Sequence, residues 1–151
     1  MKKTIAAIMV ATLFASAAQA ETFTYNVQFE EPTFYGGMGE EGRDGRSGVM
    51  NGAYTTVTAS GETASGSITC AGMDQPDNGL FDFHLSCTAT RADGESKSSL
   101  IYGCNSLPEG RGASCVGGLE GRAGTLKGMR GVITMHLGAK GASVGTGQWI
   151  E

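Results

Sequence analysis

The sequence predicts an all-β chain: a single antiparallel β-barrel or sandwich of about seven to nine short strands, stabilised by disulfides. Three observations carry that reading. Apolar and polar residues alternate in segment after segment, most clearly Phe23, Tyr25, Val27 and Phe29 against Thr22, Thr24, Asn26 and Gln28. The 151 residues include 25 glycines, well above the usual level of roughly 7% and without the three-residue period of collagen. Four cysteines follow a leader-like N-terminus, an even number in a chain addressed to an oxidising compartment.

Met1 to Ala20 has the pattern of a signal peptide. Lys2 and Lys3 form the charged start, Ile5 to Phe14 the apolar middle, and Ala18-Gln19-Ala20 the small-x-small cleavage site. The apolar run is shorter than the about 20 residues that span a bilayer. Cleavage would start the exported protein at Glu21, and with no cysteine there lipoprotein attachment is not expected. The pattern resembles the leader of a Gram-negative outer-membrane or periplasmic protein, so a periplasmic or secreted location is expected. Residues 21–151 then form a single all-β domain with one core. Two of the eleven basic residues lie in the leader, which leaves nine against fifteen acidic ones. An acidic surface argues against nucleic acid or anionic lipid as partner, because both require a basic patch, and it favours a soluble monomer.

Glu21 to Phe29 is the first strand. Glu30 to Ser47 loses all periodicity in a proline, repeated glycines and the run Glu40-Glu41-Gly42-Arg43-Asp44-Gly45-Arg46, and is expected to be a long mobile loop. Ala53 to Ser60 and Thr63 to Ala71, joined at Gly61-Glu62, form a predicted hairpin. After the turn-rich Asp74 to Gly79, Phe81, Phe83, Leu85 and Cys87 alternate with Asp82, His84, Ser86 and Thr88, which sets an aromatic core face. Asp93-Gly94 turns the chain into Ser98 to Cys104. Ser114 to Leu119, Gly131 to Leu137 and Ala142 to Ile150 complete the set. Glycine recurs too often for a helical apolar period to build outside the leader.

Cys70, Cys87, Cys104 and Cys115 are the disulfide candidates, and four cysteines permit three connectivities. A hairpin turn at Glu109-Gly110 would set Cys104 opposite Cys115, which ranks Cys104–Cys115 with Cys70–Cys87 first. Cys87–Cys104 with Cys70–Cys115 ranks second. Each bridge is expected to contribute about 2–4 kcal/mol. The spacings hold no C-x-x-C knuckle, so zinc is not expected.

No catalytic constellation emerges, and neither metal nor cofactor is expected. His84 and His136 are the only histidines; with Asp82, Met38, Met50, Met73, Met129 or Met135 they would form part of a copper site, but the methionines have no ligand spacing. Glu40, Glu41 and Asp44 sit in the least periodic segment and lack the Asp-x-Asp spacing of a calcium loop. No Gly-x-Ser-x-Gly elbow occurs. Gly145, Gly147 and Trp149 share one strand face, so the glycines leave space beside a large ring that either plugs the core or forms a cavity wall.

The closing segments Gly131-Val132-Ile133-Thr134-Met135-His136 and Gly145-Thr146-Gly147-Gln148-Trp149 resemble those of small secreted calycin-like or allene-oxide-cyclase-like barrels. That resemblance implies a barrel able to hold a small apolar ligand, often without enzymatic activity. Export, two disulfides, an aromatic core face and the lack of a catalytic constellation lead to the function expected: an exported, non-enzymatic binding protein for a small apolar molecule or a protein partner, with Phe81, Phe83 and Trp149 as ligand-binding residues. The alternatives are a disulfide-braced inhibitor of a secreted enzyme, presenting Leu107 to Arg111 between Cys104 and Cys115, and a small outer-membrane barrel.

Overall fold

The computed structural model describes residues 20–36, 45–76 and 79–150. The predicted leader up to Gln19, together with Met38, Glu40, Glu41 and Asp44, lies outside the described residues. Among the described residues nine strands follow in order: β1 Thr22–Phe29, β2 Thr33–Tyr35, β3 Ser47–Thr58, β4 Thr63–Asp74, β5 Phe83–Arg91, β6 Lys97–Ser106, β7 Ala113–Ala123, β8 Arg130–Leu137 and β9 Ala142–Ile150. The remaining regular pieces are single 3₁₀ turns at Pro108–Gly110, Gly124–Leu126 and Ala139–Gly141.

From β3 to β9 every strand pairs antiparallel with the next. β1 bonds to β9 on one side, with Tyr25 opposite Gly145, and to β3 on the other, with Tyr25 opposite Thr56. That double pairing closes eight strands into a barrel, and β2 adds a short ninth beside β3. Of the two architectures the sequence allows, the chain forms the barrel. Closure leaves the eight strands without an open edge between them.

The period-2 patterns place one row of side chains in the lumen. Tyr25, Val27 and Phe29 of β1, Ile68 and Cys70 of β4, and Leu85, Cys87 and Ala89 of β5 are buried. So are Leu100, Tyr102 and Cys104 of β6, Cys115 and Leu119 of β7, Ile133 and Met135 of β8, and Trp149 of β9. Cys70 stands opposite Cys87 on β4 and β5, and Cys104 opposite Cys115 on β6 and β7; both pairs are bonded, and no free cysteine remains. The first-ranked connectivity is the one adopted. The turn at Glu109 and Gly110, both at positive φ, supplies the hairpin geometry that brings Cys104 to Cys115.

Two segments depart from the sequence reading. Residues 30–47 are not continuous loop: β2 lies within them and β3 starts at Ser47, ahead of the predicted Ala53. Gly48 and Gly52 interrupt the apolar alternation there and hide the strand. The Phe34 ring lies over Gly48, and a side chain there would have to displace it. The Arg46 guanidinium stacks on the same ring, 5.0 Å from its centre. The second departure is Phe81, which precedes β5 and faces away from the core. The Asp82 amide donates to the Cys104 carbonyl, turning the chain across the outer wall, and the Phe81 ring covers Gly103 there.

Candidate functional site

The lumen is unevenly filled. At the end where the β4–β5, β6–β7 and β8–β9 connections lie, Leu85, Cys87, Ala113 and the Cys104–Cys115 bridge pack with Phe83, Met50 and Leu137. Toward the other end the side chains leave a cavity of about 430 Å³. Small-molecule sites usually enclose about 300–1,000 Å³. The wall is apolar along most of its length, with Phe23, Val27, Ile68, Leu100, Ile133 and Trp149 among its side chains. It reaches the surface at a rim formed by Glu21, the β3–β4 turn at Glu62, and the β7–β8 connection.

Two aromatic rings of the wall are placed by two glycines. Gly145 and Gly147 of β9 stand opposite Tyr25 and Phe23 of β1. A Cβ at either glycine would collide with the ring across from it. The space that the glycines open is thus taken by Tyr25 and Phe23, with ring centres 6.3 Å apart, and Phe23 in turn lies 6.2 Å from Trp149. Trp149 belongs both to the packed core and to the cavity wall.

A polar strut crosses this lumen. The Tyr25 hydroxyl donates to the Thr134 carbonyl at 2.6 Å, which leaves the Tyr102 hydroxyl to donate to Tyr25 at 3.1 Å. The strut links β1 to β6 on opposite sides of the barrel. Burial pushes the Tyr25 phenol up to about 12, against a smaller lowering by the bond from Tyr102. Burial raises Tyr102 still further, and the neighbouring Tyr25 adds to the rise. Both phenols are therefore neutral donors and acceptors at physiological pH, and neither is a general base.

Nearer the rim, Tyr54, Gly66 and Arg91 occupy one rung across β3, β4 and β5. Tyr54 and Arg91 line the cavity, as does Ser98 of β6. Burial raises the Tyr54 phenol above its ordinary value, the Arg91 guanidinium pulls it down, and Asp93 works with burial. Asp93 is itself occupied: its carboxylate accepts from the backbone N–H groups of Ser96 and Glu95, and these bonds hold its pKa below the ordinary value.

Of the three residues expected to bind ligand, Trp149 lines the cavity. Phe81 lies on the outer wall, edge-on to His84 at 5.4 Å, and Phe83 is part of the filled end; neither lines the cavity. His84 and His136 sit on β5 and β8, with two strands between them, and His136 is exposed. The Asp82 carboxylate accepts from the Ser106 amide. Among the described residues no group of three His, Cys, Asp or Glu converges on a metal position. Sequence reasoning missed Tyr25, Tyr102, Tyr54 and Arg91 as site residues. For Arg91 a signal existed, since it continues the inward phase of Leu85, Cys87 and Ala89.

Fold and site together define an eight-stranded antiparallel barrel, braced by two disulfides, with an apolar cavity open at one rim. No protein-family model matches the chain, and no curated protein or solved structure matches it.

Proposed function

We propose that this protein is an exported, non-enzymatic carrier that holds a small, largely apolar molecule inside its barrel. The cavity carries the reading: a preformed space of about 430 Å³ walled by aromatic and aliphatic side chains, with polar groups at few points. Burying an apolar ligand there contributes roughly 25 cal/mol per Å² of surface removed from water. Two disulfides are compatible with an oxidising, extracytoplasmic compartment, and the leader-like Met1 to Ala20 supports export through a Gram-negative inner membrane.

Against a membrane barrel stands the outer face of β1, while β6, β7 and β8 each expose a single large apolar residue, Ile101, Val116 and Val132, and not a row. β1 presents Thr22, Thr24, Asn26 and Gln28 to the outside, where a lipid-facing strand requires an apolar row. The inhibitor reading rests on the loop from Leu107 to Gly112, closed by the Leu107 amide donating to the Gly112 carbonyl. Its tip offers Glu109 and Arg111, both exposed and charged, with no large apolar anchor for a partner's pocket.

Titration with small apolar molecules, read by Trp149 fluorescence and melting temperature, tests the carrier. A saturable fluorescence change is expected, because Trp149 is the one tryptophan and stands in the cavity wall. Ligand at a hundred times its Kd should stabilise the fold by about 2.7 kcal/mol. A panel of fatty acids, isoprenoids and aromatic acids that moves neither signal defeats the reading.

A further inference from the structure

Among the described residues, one cation lines the cavity. Arg91 continues the inward phase of β5 after Leu85, Cys87 and Ala89, and it lines the cavity, half-buried, toward its mouth. A guanidinium drawn out of bulk water is costly unless a counter-charge or a set of acceptors meets it. Among the described residues, the ion pairs within 4.0 Å are Arg46–Asp74 and Arg122–Glu120, and neither involves Arg91. Asp93, near enough to be felt electrostatically, is turned onto the backbone amides of its own turn.

The surroundings of Arg91 are suited to an acceptor. Tyr54 stands on the same rung two strands away, and Gly66 between them carries no side chain. Two strand spacings put the Tyr54 and Arg91 backbones about 10 Å apart, and at Gly66 a Cβ would meet the Thr90 carbonyl and the Arg91 backbone, so the glycine lets β5 approach β4 closely there. Ser98, nine-tenths buried, adds a hydroxyl on β6, where it pairs with Ala89, two residues before Arg91. Guanidinium, phenol and hydroxyl thus share one side of the cavity near its mouth. The carboxylates of the rim, Glu21 and Glu62, are exposed and solvated, so water and salt screen their effect on a head group held deeper.

From this placement we infer that the natural ligand is a carboxylate-headed amphiphile: its acid group binds Arg91, assisted by Tyr54 and Ser98, and its apolar body lies along Leu100, Ile133 and Trp149. The fork of the guanidinium matches a carboxylate through two parallel N–H···O bonds, which a neutral ester or alcohol cannot reproduce. This deepens the carrier reading and depends on it.

The test compares decanoate, methyl decanoate and decanol against the folded, disulfide-bonded protein, read by Trp149 fluorescence. Decanoate should bind about ten- to a hundredfold tighter than its methyl ester, the worth of hydrogen bonds to a charged group. In Arg91→Gln that ratio should collapse toward one, and in Arg91→Lys it should recover in part. Tyr54→Phe should lower the ratio by a smaller factor, and it provides a second reading if Arg91→Gln folds poorly. Arg122→Gln, on the outer wall, should leave the ratio intact. Equal affinity for all three probes overturns the carboxylate inference but leaves the carrier standing. An acid preference that survives Arg91→Gln overturns the assignment to Arg91. Failure of all three probes to bind overturns the carrier reading and this inference with it.

Discussion

Tyr25 shows how much one side chain can carry in a small barrel. Its ring fills the space over Gly145, and its hydroxyl both donates to the Thr134 carbonyl and accepts from Tyr102. The two ends of the strut are therefore unequal. Tyr102→Phe removes one donor and leaves Tyr25 bonded to Thr134, a loss of about 1 kcal/mol. Tyr25→Phe removes both bonds of the strut and takes the acceptor from the buried Tyr102 hydroxyl, so it should cost roughly 2–3 kcal/mol despite the same chemical change. Chemical denaturation of the two variants checks the order, and equal losses contradict the donor direction assigned here. The strut also sets an alkaline limit. A phenol whose folded pKa lies above its unfolded value keeps its proton longer in the native state, so its contribution is complete below the unfolded pKa and fades as pH climbs toward the folded one. For Tyr25 that window runs from about pH 10, where an unfolded phenol ionises, to about 12. Tyr102, also raised, extends it upward. Stability should fall across this range by at most about 1.4 kcal/mol per pH unit for each phenol. Following phenolate absorbance alongside denaturation tests this, since ionisation of both groups before unfolding would contradict their burial.

The strands obey their alternation, while two of their connections carry strain. Glu109 and Lys140 occupy left-handed backbone at φ 61° and 57°, in the β6–β7 and β8–β9 turns. Such positions favour glycine, which has no Cβ to crowd the following carbonyl, or asparagine, whose short polar side chain hydrogen-bonds locally. Glu109→Asn and Lys140→Asn should each stabilise the fold by about 0.5 kcal/mol, visible as a rise in melting temperature; a fall at either site would mean that its side chain makes a contact worth more than the strain. Element-level physics also explains what the sequence disclosed. β1 was legible because Phe23, Tyr25, Val27 and Phe29 repeat at the strand period, and the Cys104–Cys115 pairing followed from the Glu109-Gly110 turn between them. β2 was not, since its three residues are all exposed and show no alternation, nor was the start of β3, where Gly48 and Gly52 stand in place of apolar residues that would mark a strand. Phe81 kept the inward phase in sequence, yet the bond from Asp82 to Cys104 turns it onto Gly103 outside the barrel. The cavity itself had no local signal. It depends on how far eight registers, set by pairs as distant as Tyr25 and Gly145, hold the walls apart.

At the scale of the whole barrel, the two disulfides have different tasks although both join neighbouring strands. Cys70–Cys87 staples β4 to β5, and Cys70 faces the cavity; Cys104–Cys115 staples β6 to β7 within the filled end. Their sequence separations, 17 and 11 residues, predict stabilisation of similar size, about 3 kcal/mol each, because the loop-closure entropy removed from the unfolded chain grows only slowly with length. Their effects on binding should nevertheless diverge. Replacing Cys70 and Cys87 together by alanine changes the cavity wall and frees β4 against β5, the two strands that present Gly66 and Arg91. That variant should lose stability and also bind an apolar acid more weakly. Replacing Cys104 and Cys115 together by alanine should cost similar stability while leaving affinity nearly unchanged below the new, lower melting temperature. Denaturant titration and Trp149 fluorescence on both variants separate the two quantities. If affinity instead falls equally in both, the barrel responds as one elastic body, and the filled end takes part in shaping the cavity.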